Sequence, residues 1–403
     1  MPADRARIVI AGGGVAGLEA CLALRSFLDE EQLAIDLLCP EPRFEYRPLA
    51  VLEPFDGAPA WSMPLAAFAA DQRVRLVRDS LHGVDPERRV AIPLSGDPLP
   101  YDAMLACVGA RPVRAIPGAI TFRGSRDADA VRTALGAIGA GERATIAFAA
   151  PLGAFWTLPL YELAILAVAR LRARSARARV VLAVPEPAPL DAFGPRASAA
   201  VADLLRAHDI DFRGGVRPVA AGAGELELDD GERIRCDAAI ALPGLRGRPV
   251  RGLPQDADSF VSADRHGRVE GLDNVYAAGD MTTFPLKQGG LAAQQADAAA
   301  EAMLAGLGVP IVPRPFEGIL RGVLYTDAEP AYLRAAAGSA ATVRSWSMWW
   351  PPSKIAGRHL APYLAVRAGA PRAPEVRPDA GVVPVSIDVR AVASALTGEI
   401  PPG

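Results

Sequence analysis

Near the start of the chain stands Arg7-Ile8-Val9-Ile10-Ala11-Gly12-Gly13-Gly14-Val15-Ala16-Gly17, a short β-rich run that leads into closely spaced glycines. A helical pattern follows over residues 18–28, and residues 34–38 predict a second strand. Strand, glycine turn, helix and strand is the order that a parallel, doubly wound sheet requires.

The three glycines of this turn have separate predicted roles. Gly12 permits the tight turn, Gly14 lets the backbone approach a diphosphate, and Gly17 permits close packing of helix on strand. The phosphates would rest on the first helical residues, Val15 and Ala16, where unpaired N–H groups and the helix dipole favour negative charge. The turn therefore predicts a dinucleotide site.

A carboxylate stands at the expected distance from this turn. Glu41 lies 24 residues beyond Gly17, at the end of the second predicted strand. We expect it to accept hydrogen bonds from a ribose of the bound dinucleotide.

The same plan recurs in the middle of the chain. Residues 144–149 predict a strand, residues 158–170 a helix, and residues 180–184 a second strand. That strand leaves through Pro185-Glu186-Pro187, as the earlier one leaves through Pro40-Glu41-Pro42. The sequence thus predicts a duplicated architecture.

Smaller features support the duplication. Residues 101–109 and 236–244 share an Asp, an apolar run and a Gly, and each would form the strand that closes one half. Residues 74–77 and 89–92, between polar turns, predict strands of an antiparallel ribbon.

These patterns predict an α/β protein. We expect two Rossmann-like, doubly wound, three-layer dinucleotide-binding domains and a small C-terminal α+β domain. The first domain would comprise residues 1–115 and 240–312, the second residues 116–239, and the C-terminal domain with its Pro-rich tail residues 313–403.

Composition excludes several classes. With 43 Lys and Arg against 46 Asp and Glu, the net charge of −3 provides no long-range attraction for nucleic acid. The N-terminus lacks the zones of a secretory signal, and no run reaches about 18 apolar residues. We expect a cytoplasmic protein with at most peripheral contact at the inner face of the membrane.

The cysteines are scattered singly. Cys21, Cys39, Cys107 and Cys236 form no CxxC and no metal-ligand spacing, which argues against a metal site and thioredoxin-type chemistry. Each lies in or beside an apolar run, so we expect four thiols packed in cores.

A second motif identifies the dinucleotide by resemblance. Asn274-Val275-Tyr276-Ala277-Ala278-Gly279-Asp280 resembles the second FAD signature of the pyridine nucleotide-disulfide oxidoreductase superfamily. The resemblance implies noncovalent FAD, with Gly279 and Asp280 at its ribityl and phosphate side. The helix that begins near Gln288 would point at the pyrimidine end of the flavin, where Lys287 would stabilise the negative charge of the reduced form.

Within the superfamily, residues 5–366 resemble the branch of sulfide:quinone oxidoreductases and type II NADH dehydrogenases. Arg47-Pro48-Leu49 looks like the segment that passes the flavin, which assigns Pro48 to the site. Val108-Gly109-Ala110-Arg111-Pro112 looks like the crossover from the FAD domain, which assigns Gly109. The branch implies a small electron donor and a quinone or another small acceptor.

Two departures leave the donor open. Residues 150–162 stand where NADH users have a second glycine turn, but they hold one glycine, two prolines and the pair Phe155-Trp156. Prolines lack N–H donors, so NAD(P)H is disfavoured, although Glu186 stands where a ribose-binding acid would. No cysteine lies between Cys107 and Cys236 or after Cys236, so the catalytic cysteines of sulfide oxidation are missing. Trp156 and Lys287 remain the candidate catalytic residues.

The C-terminal region carries a tryptophan cluster. Trp346-Ser347-Met348-Trp349-Trp350-Pro351-Pro352-Ser353-Lys354-Ile355 predicts the start of a helical run through about residue 360. Lys354, Arg358 and His359 would share one basic face of it. The cluster suits a membrane interface or a quinone pocket, and equally an aromatic lid or a homodimer contact.

Three functional hypotheses follow. The first is an FAD-dependent oxidoreductase that passes two electrons from a small donor to a quinone or another small acceptor. The second is an NAD(P)H dehydrogenase with a degenerate nucleotide turn. The third is a flavin-binding subunit without turnover, which the missing thiols and the missing second glycine turn would explain.

Overall fold

Two five-stranded parallel sheets organise the computed structural model, which describes residues 5–141, 143–335, 341–345, 347–349, 351 and 353–368. The strands of the first sheet lie side by side in the order Val275–Ala277, Ala103–Ala106, Ala6–Ala11, Leu33–Leu38 and Arg75–Val77. Those of the second lie in the order Ile120–Thr121, Ala238–Ala241, Arg143–Ala149, Arg177–Val184 and Ile210–Gly214. In both sheets the strand before the turn is central, so the predicted duplication is confirmed.

Both faces of the first sheet are buried, which explains its nearly continuous apolar strands. Ile8 and Ile10 pack into the core that faces the helices, whereas Val9 and Ala11 face the opposite core. Residues of the second sheet alternate between two further cores in the same way. All four cysteines are buried and unpaired, as predicted.

The described residues contain α-helices at α1 Val15–Arg25, α2 Leu65–Gln72, α3 Ala128–Gly136, α4 Leu158–Ala173, α5 Pro195–Ala207, α6 Gly289–Gly306 and α7 Leu360–Arg367. Helix α1 begins earlier than the predicted residue 18 because Gly14, in extended conformation, already serves as its N-cap. It ends at Arg25, where the Ser26 hydroxyl donates to the carbonyl oxygen of Ala23.

Each half carries a three-stranded antiparallel sheet: Leu81–Asp85, Val90–Pro93 and Leu99–Pro100 in the first, Pro218–Gly222, Glu225–Leu228 and Arg233–Arg235 in the second. The ribbon strand predicted at 89–92 is confirmed. The one predicted at 74–77 is wrong, because Arg75–Val77 is the parallel edge strand of the first sheet. The guanidinium of Arg75 binds both carboxylate oxygens of Asp36 on the neighbouring strand, at 2.7 and 2.6 Å, which favours this register.

Short strands connect the halves. Ala110–Val113 pairs with Gly244–Gly247 in an antiparallel ribbon between the two sheets. A second short pair, Arg43–Glu45 with Ser62–Pro64, lies within the first half. The predicted boundary between residues 239 and 240 falls inside Ala238–Ala241, which is hydrogen-bonded into the second sheet. The whole of that strand lies in the second sheet.

The C-terminal region adds a three-stranded antiparallel sheet, Leu320–Leu324, Ala331–Ala335 and Thr342–Arg344, and helix α7. The helical run predicted from the tryptophan cluster to residue 360 is wrong, because helix begins only at Leu360. The start of α7 is fixed by Glu19 of α1, whose carboxylate accepts hydrogen bonds from the amides of His359 and Leu360 at 2.7 and 2.8 Å. Trp346, Trp350 and the Pro-rich tail lie outside the described residues.

Candidate active site

The first glycine turn lies at the carboxyl end of Ala6–Ala11, and two of its glycines are required by packing. A Cβ atom added at Gly12, whose φ is +133°, would lie 2.2 Å from the carbonyl oxygen of Cys107. One added at Gly17 would lie 1.8 Å from the carbonyl oxygen of Gly12. At Gly14 it would meet no protein atom within 4 Å. Packing of the described residues therefore does not require glycine at position 14, and the space in front of it is open.

The Gly279 segment lies directly beside this turn. The strand Val275–Ala277 is the neighbour of Ala103–Ala106 in the first sheet, and Gly279 begins the 3-10 turn that follows it. A Cβ atom added at Gly279 would lie 3.3 Å from the Cβ of Ala16, in the first turn of α1. The two motifs, separated by more than 250 residues in sequence, thus form one surface with Val15 and Ala16.

Asp280 is a half-buried carboxylate with no hydrogen-bond or ion-pair partner among the described residues. Burial raises its pKa, while the charges of Lys287 and Arg47 oppose that shift. A carboxylate in such surroundings needs hydrogen-bond donors. The hydroxyl groups of a ribityl chain fit that requirement.

Glu41 lies at the other end of the surface. It follows the strand Leu33–Leu38, is exposed, and accepts a hydrogen bond from the thiol of Cys39 at 3.1 Å. Burial, together with the Glu41 carboxylate, raises the pKa of Cys39 to about 12, so the thiol stays protonated and donates. Cys39 also lies against Gly13, which places Glu41 near the glycine turn.

Lys287 lies just before helix α6 and is 7% exposed. Its Nζ donates to the carbonyl oxygens of Thr282 and Phe284, the latter at 2.7 Å. The rings of Phe260 and Phe155 lie 4.3 and 5.3 Å from Nζ, measured to their centroids. The ammonium group is therefore held in place by backbone dipoles and aromatic faces.

The environment of Lys287 makes it titratable near neutral pH. Burial lowers its pKa to about 8, although the negative charge of Asp280 opposes the shift. The next residue, Gln288, is the N-cap of α6: its side-chain oxygen accepts from the amide of Leu291 at 2.9 Å. The first amides of α6 have no partner within the helix, so cation and helix N-terminus add positive potential at one place.

A cavity of about 290 Å³ lies at Lys287 and the start of α6. Pro48, Trp156, Lys287 and Gln288, all predicted site residues, line it. Trp349 does not: its ring packs edge-on against Tyr332 and its indole nitrogen donates to the carbonyl oxygen of Ser353 at 3.0 Å. Gly109, with φ +71°, marks the point where the chain leaves Ala103–Ala106 for the crossover ribbon.

Lys354, on the floor of the cavity, forms an ion pair that the sequence does not predict. Lys354 Nζ lies 2.5 Å from the carboxylate of Glu162, and both side chains are almost fully buried. Lys354 also donates to the carbonyl oxygen of Pro48 at 3.3 Å and lies 4.5 Å from the ring centroid of Tyr325. Burial lowers the pKa of Lys354 and raises that of Glu162, and in each case the partner's charge opposes the shift.

This pair corrects the prediction of an exposed basic face. Lys354 is inside the protein, Arg358 is exposed with its guanidinium 3.6 Å from Glu301, and neither belongs to a helix. One signal in the sequence could have indicated the burial. Only Lys287 and Lys354 are lysines among 43 Lys and Arg, and both line the same cavity. Arginine stays charged, whereas a buried lysine can release its proton, so the two exceptions mark positions that need lysine chemistry.

In the second half, the acid that corresponds to Glu41 lies in a different environment. Glu186 is 3% exposed, and its carboxylate accepts from the hydroxyl of Thr157 at 3.0 Å and from that of Tyr161. Burial raises the pKa of Glu186 to about 7, although both hydrogen bonds oppose the shift. The expectation that Glu186 remains available to a ribose is therefore wrong, because this acid is already bonded inside the core.

Comparison with known proteins identifies the family. The family model described as pyridine nucleotide-disulphide oxidoreductase matches residues 6–303. The chain belongs to that family. Among curated relatives, the NADH dehydrogenase-like protein Rv1812c of Mycobacterium tuberculosis is 27% identical over 290 residues, which cover 68% of this chain and 72% of that protein.

Solved structures of this oxidoreductase family share the fold. The sulfide:quinone oxidoreductase of Aquifex aeolicus superposes with a TM-score of 0.78 at 18% identity, covering 91% of this chain and 92% of that one. A ferredoxin reductase of Rhodopseudomonas palustris reaches a TM-score of 0.62 at 19% identity, covering 82% and 83%. The predicted superfamily and fold class are confirmed, and the chain is a flavin-dependent oxidoreductase.

The described residues include neither a membrane-spanning helix nor a metal site. None of the helices there combines the length and apolar character needed to cross a membrane. In the same residues, no group of three or more His, Cys, Asp or Glu side chains is arranged to hold a metal ion.

Proposed function

We propose that the chain holds one FAD between the Gly12–Gly17 turn and Asp280, and passes two electrons from a small organic donor to a quinone or another small acceptor. One observation carries the proposal. The open face of Gly14, the unpartnered carboxylate of Asp280 beside the charge of Lys287, and a cavity lined by Lys287 and Gln288 at the start of α6 follow one another along this side of the protein.

Each part of the cradle fits a group of that cofactor. The α1 amides after Gly14 suit the diphosphate, Glu41 a ribose, and Asp280 the ribityl hydroxyls. Bound flavin would supply reversible two-electron chemistry at the cavity. Pro48 and Gln288 line that cavity, and Gly109 directs the chain away from it.

Each of the two buried lysines, Lys287 and Lys354, has a separate role in this proposal. Lys287 holds a positive charge at the start of α6, which favours a negatively charged reduced state. Lys354 holds a proton at Nζ on the floor of the cavity, and the carboxylate of Glu162 behind it stabilises that ammonium charge. Trp156 provides an aromatic wall, packed at 5.9 Å against Phe193, on which a planar substrate can lie.

The alternative donor is NAD(P)H, which the name of the Mycobacterium tuberculosis relative favours. The second half argues against it. A dinucleotide there would need amides at the turn and a free ribose-binding acid, but the turn carries Pro151 and the acid, Glu186, is bonded to Thr157 and Tyr161. The third hypothesis, a subunit without turnover, predicts bound FAD that no donor reduces faster than background.

Rapid mixing of the flavin-loaded protein without oxygen tests the proposal. We expect that NADH, NADPH and sulfide leave the visible flavin band unchanged within the time in which 1,4-naphthoquinone reoxidises photoreduced protein. Fast bleaching by NADH would establish the dehydrogenase alternative instead. A chain that takes up no FAD on reconstitution would refute the assignment altogether.

The role of Lys287 has its own measurement. Lys287→Met should lower the two-electron midpoint potential by roughly 30–60 mV, since a favourable charge interaction of about 1.4–3 kcal/mol is lost. Lys287→Arg, which keeps the charge, is the control. In the wild type the potential should fall more steeply above about pH 8, where Lys287 loses its proton, than it does in Lys287→Met.

A further inference from the structure

The charged side chains that line the cavity all carry positive charge. They are Arg47, Arg123, Lys287 and Lys354, and no Asp or Glu joins them in the lining. For a chain with net charge −3, this is a marked local excess. Lys287 and Lys354 are buried at the floor, whereas Arg47 and Arg123 are exposed at the mouth.

Two of these cations are paired with carboxylates that do not line the cavity. Asp127 binds Arg123 from the side of helix α3, and Glu162 binds Lys354 from helix α4. The positive end of each pair therefore faces the cavity while its negative end faces the core. A substrate inside meets a positive potential from both pairs.

Arg123 is held rigidly for such a role. Its Nε and Nη2 donate to the two carboxylate oxygens of Asp127 at 2.9 and 2.6 Å, and its backbone amide donates to the same carboxylate at 2.8 Å. Burial raises the pKa of Asp127, but the hydrogen bonds from Arg123 outweigh it and keep the carboxyl ionised. The Nη1 edge of the guanidinium remains for another acceptor.

Arg47 is the second cation at the mouth. It precedes Pro48 at the start of a 3-10 helix, and it has no hydrogen-bond or ion-pair partner in the part of the chain that the structure describes. Its charge opposes the rise that burial causes in the pKa of Asp280, without an ion pair between the two, and beside the cavity it adds to the attraction for an anion.

The remaining wall is apolar. Phe122, Trp156, Leu245 and Val323 line it around the open space. Such surfaces bind an aromatic or aliphatic body, while a few charged groups fix its orientation. The apolar walls and the cationic mouth thus suit a ligand that has an apolar body at one end and a negative charge at the other.

We propose that the substrate of this cavity is an organic anion, with an aromatic or aliphatic body against Trp156 and Leu245 and an anionic head bound by Arg123 and Arg47. The inference rests on the proposed function and specifies its substrate class. It is separable from the stabilisation of reduced flavin, because Lys287 serves that purpose and Arg123 lies at the mouth.

Calorimetric titration of the oxidised, FAD-loaded protein tests it with two probes that share one body. Naphthalene-2-sulfonate should bind at least about tenfold more tightly than the neutral 2-naphthalenemethanol, the scale of one charge-assisted hydrogen bond. Arg123→Gln should weaken the sulfonate by about tenfold and leave the alcohol unchanged. Arg123→Lys should retain part of the preference, and the midpoint potential should be the same in all three proteins.

Arg126→Gln is the matched control, because Arg126 is exposed on the same loop and does not line the cavity. Equal affinity for the two probes, or equal loss in Arg126→Gln and Arg123→Gln, would overturn the inference while FAD binding and the proposed function stand. A failure of FAD uptake would overturn both. A shift of the midpoint potential in Arg123→Gln would assign Arg123 to the flavin and refute its role toward substrate.

Discussion

The two halves of this protein share one plan of strands but differ at the turn after the first strand. In the first half, Gly14 opens onto free space and the chain offers α1 amides to a ligand. In the second half, the segment that begins Ala150-Pro151 crosses the same place, and its single glycine, Gly153, lies on the surface loop. Duplication therefore preserved the scaffold without preserving the site.

The acids that follow the second strand of each half show the same contrast. Glu41 is exposed and bonded only to the neighbouring Cys39, whereas Glu186 is buried and bonded to Tyr161 and Thr157. An identical Pro-Glu-Pro motif thus produces a candidate ligand contact in one half and a core hydrogen bond in the other. The helix that faces the acid decides which, because α4 provides hydroxyl groups where α1 provides none.

The largest expected effect separates ligand from packing within the first turn. Gly14→Val should weaken FAD binding by about 100-fold, because the side chain fills the space in front of the α1 amides. The free energy of unfolding of the flavin-free chain should change by only about 1 kcal/mol, the scale of an N-cap change. FAD titration and urea unfolding measure the two quantities.

Gly12→Ala should do the reverse. The added Cβ collides with the carbonyl of Cys107 at a φ of +133°, so the flavin-free chain should lose about 3 kcal/mol of stability. Gly153→Ala in the second half is the control and should leave FAD affinity intact. The distinction between the halves would fail if Gly153→Ala weakened FAD as much as Gly14→Val does.

The second effect concerns Glu186 and pH. Burial raises the folded-state pKa from 4.5 to about 7, so between these values the folded protein keeps a proton that the unfolded chain has lost. The free energy of unfolding contributed by Glu186 is therefore fully present below about pH 4.5, and about 3 kcal/mol of it is lost as the pH rises to 7. Glu186→Gln should remove that slope from urea unfolding measured between pH 5 and 8.

Glu41→Gln is the counterpart in the first half. Because Glu41 is exposed, its replacement should alter stability by less than about 0.5 kcal/mol while weakening FAD binding. A pH slope that survives in Glu186→Gln would contradict the buried, proton-retaining carboxyl.

The smallest effect tests what the halves still share. The carboxylate of Asp102 accepts from the amide of Arg7 at 2.7 Å, and that of Asp237 accepts from the amide of Thr145 at the same distance. Replacing either by alanine should reduce the free energy of unfolding by about 1 kcal/mol, since one exposed hydrogen bond is lost in each. A large difference between the two variants would argue that the repeated motif has diverged.

Much of the fold and of the candidate dinucleotide site could be predicted from local sequence. Glycine spacing, strand patterns and the Gly279-Asp280 motif depend on neighbouring residues, so the cradle and the repeated sheets were predictable. The parallel edge strand Arg75–Val77 could not be predicted in this way, because a three-residue sequence does not indicate which strand it will pair with. Tertiary contacts decide such short strands.

The burial of Glu186 and of Lys354 also could not be predicted from neighbouring residues, because the partners of both side chains are distant in the sequence. Tyr161 lies 25 positions before Glu186, and Glu162 lies 192 positions before Lys354. A lysine beside prolines and tryptophans is typical of a surface, and only its partner reverses that expectation. The scarcity of lysine in this chain was the one available hint.

The distance in sequence between Glu162 and Lys354 also sets an order of events during synthesis. At about 5–20 residues per second, the lysine follows its carboxyl partner out of the ribosome roughly 10–40 s later. Until then the nascent second half must either keep that carboxyl neutral or leave this flank of α4 hydrated. The segment that contains Lys354 is the last described one to be translated. Its synthesis thus decides when the flank of α4 around Glu162 can exclude water.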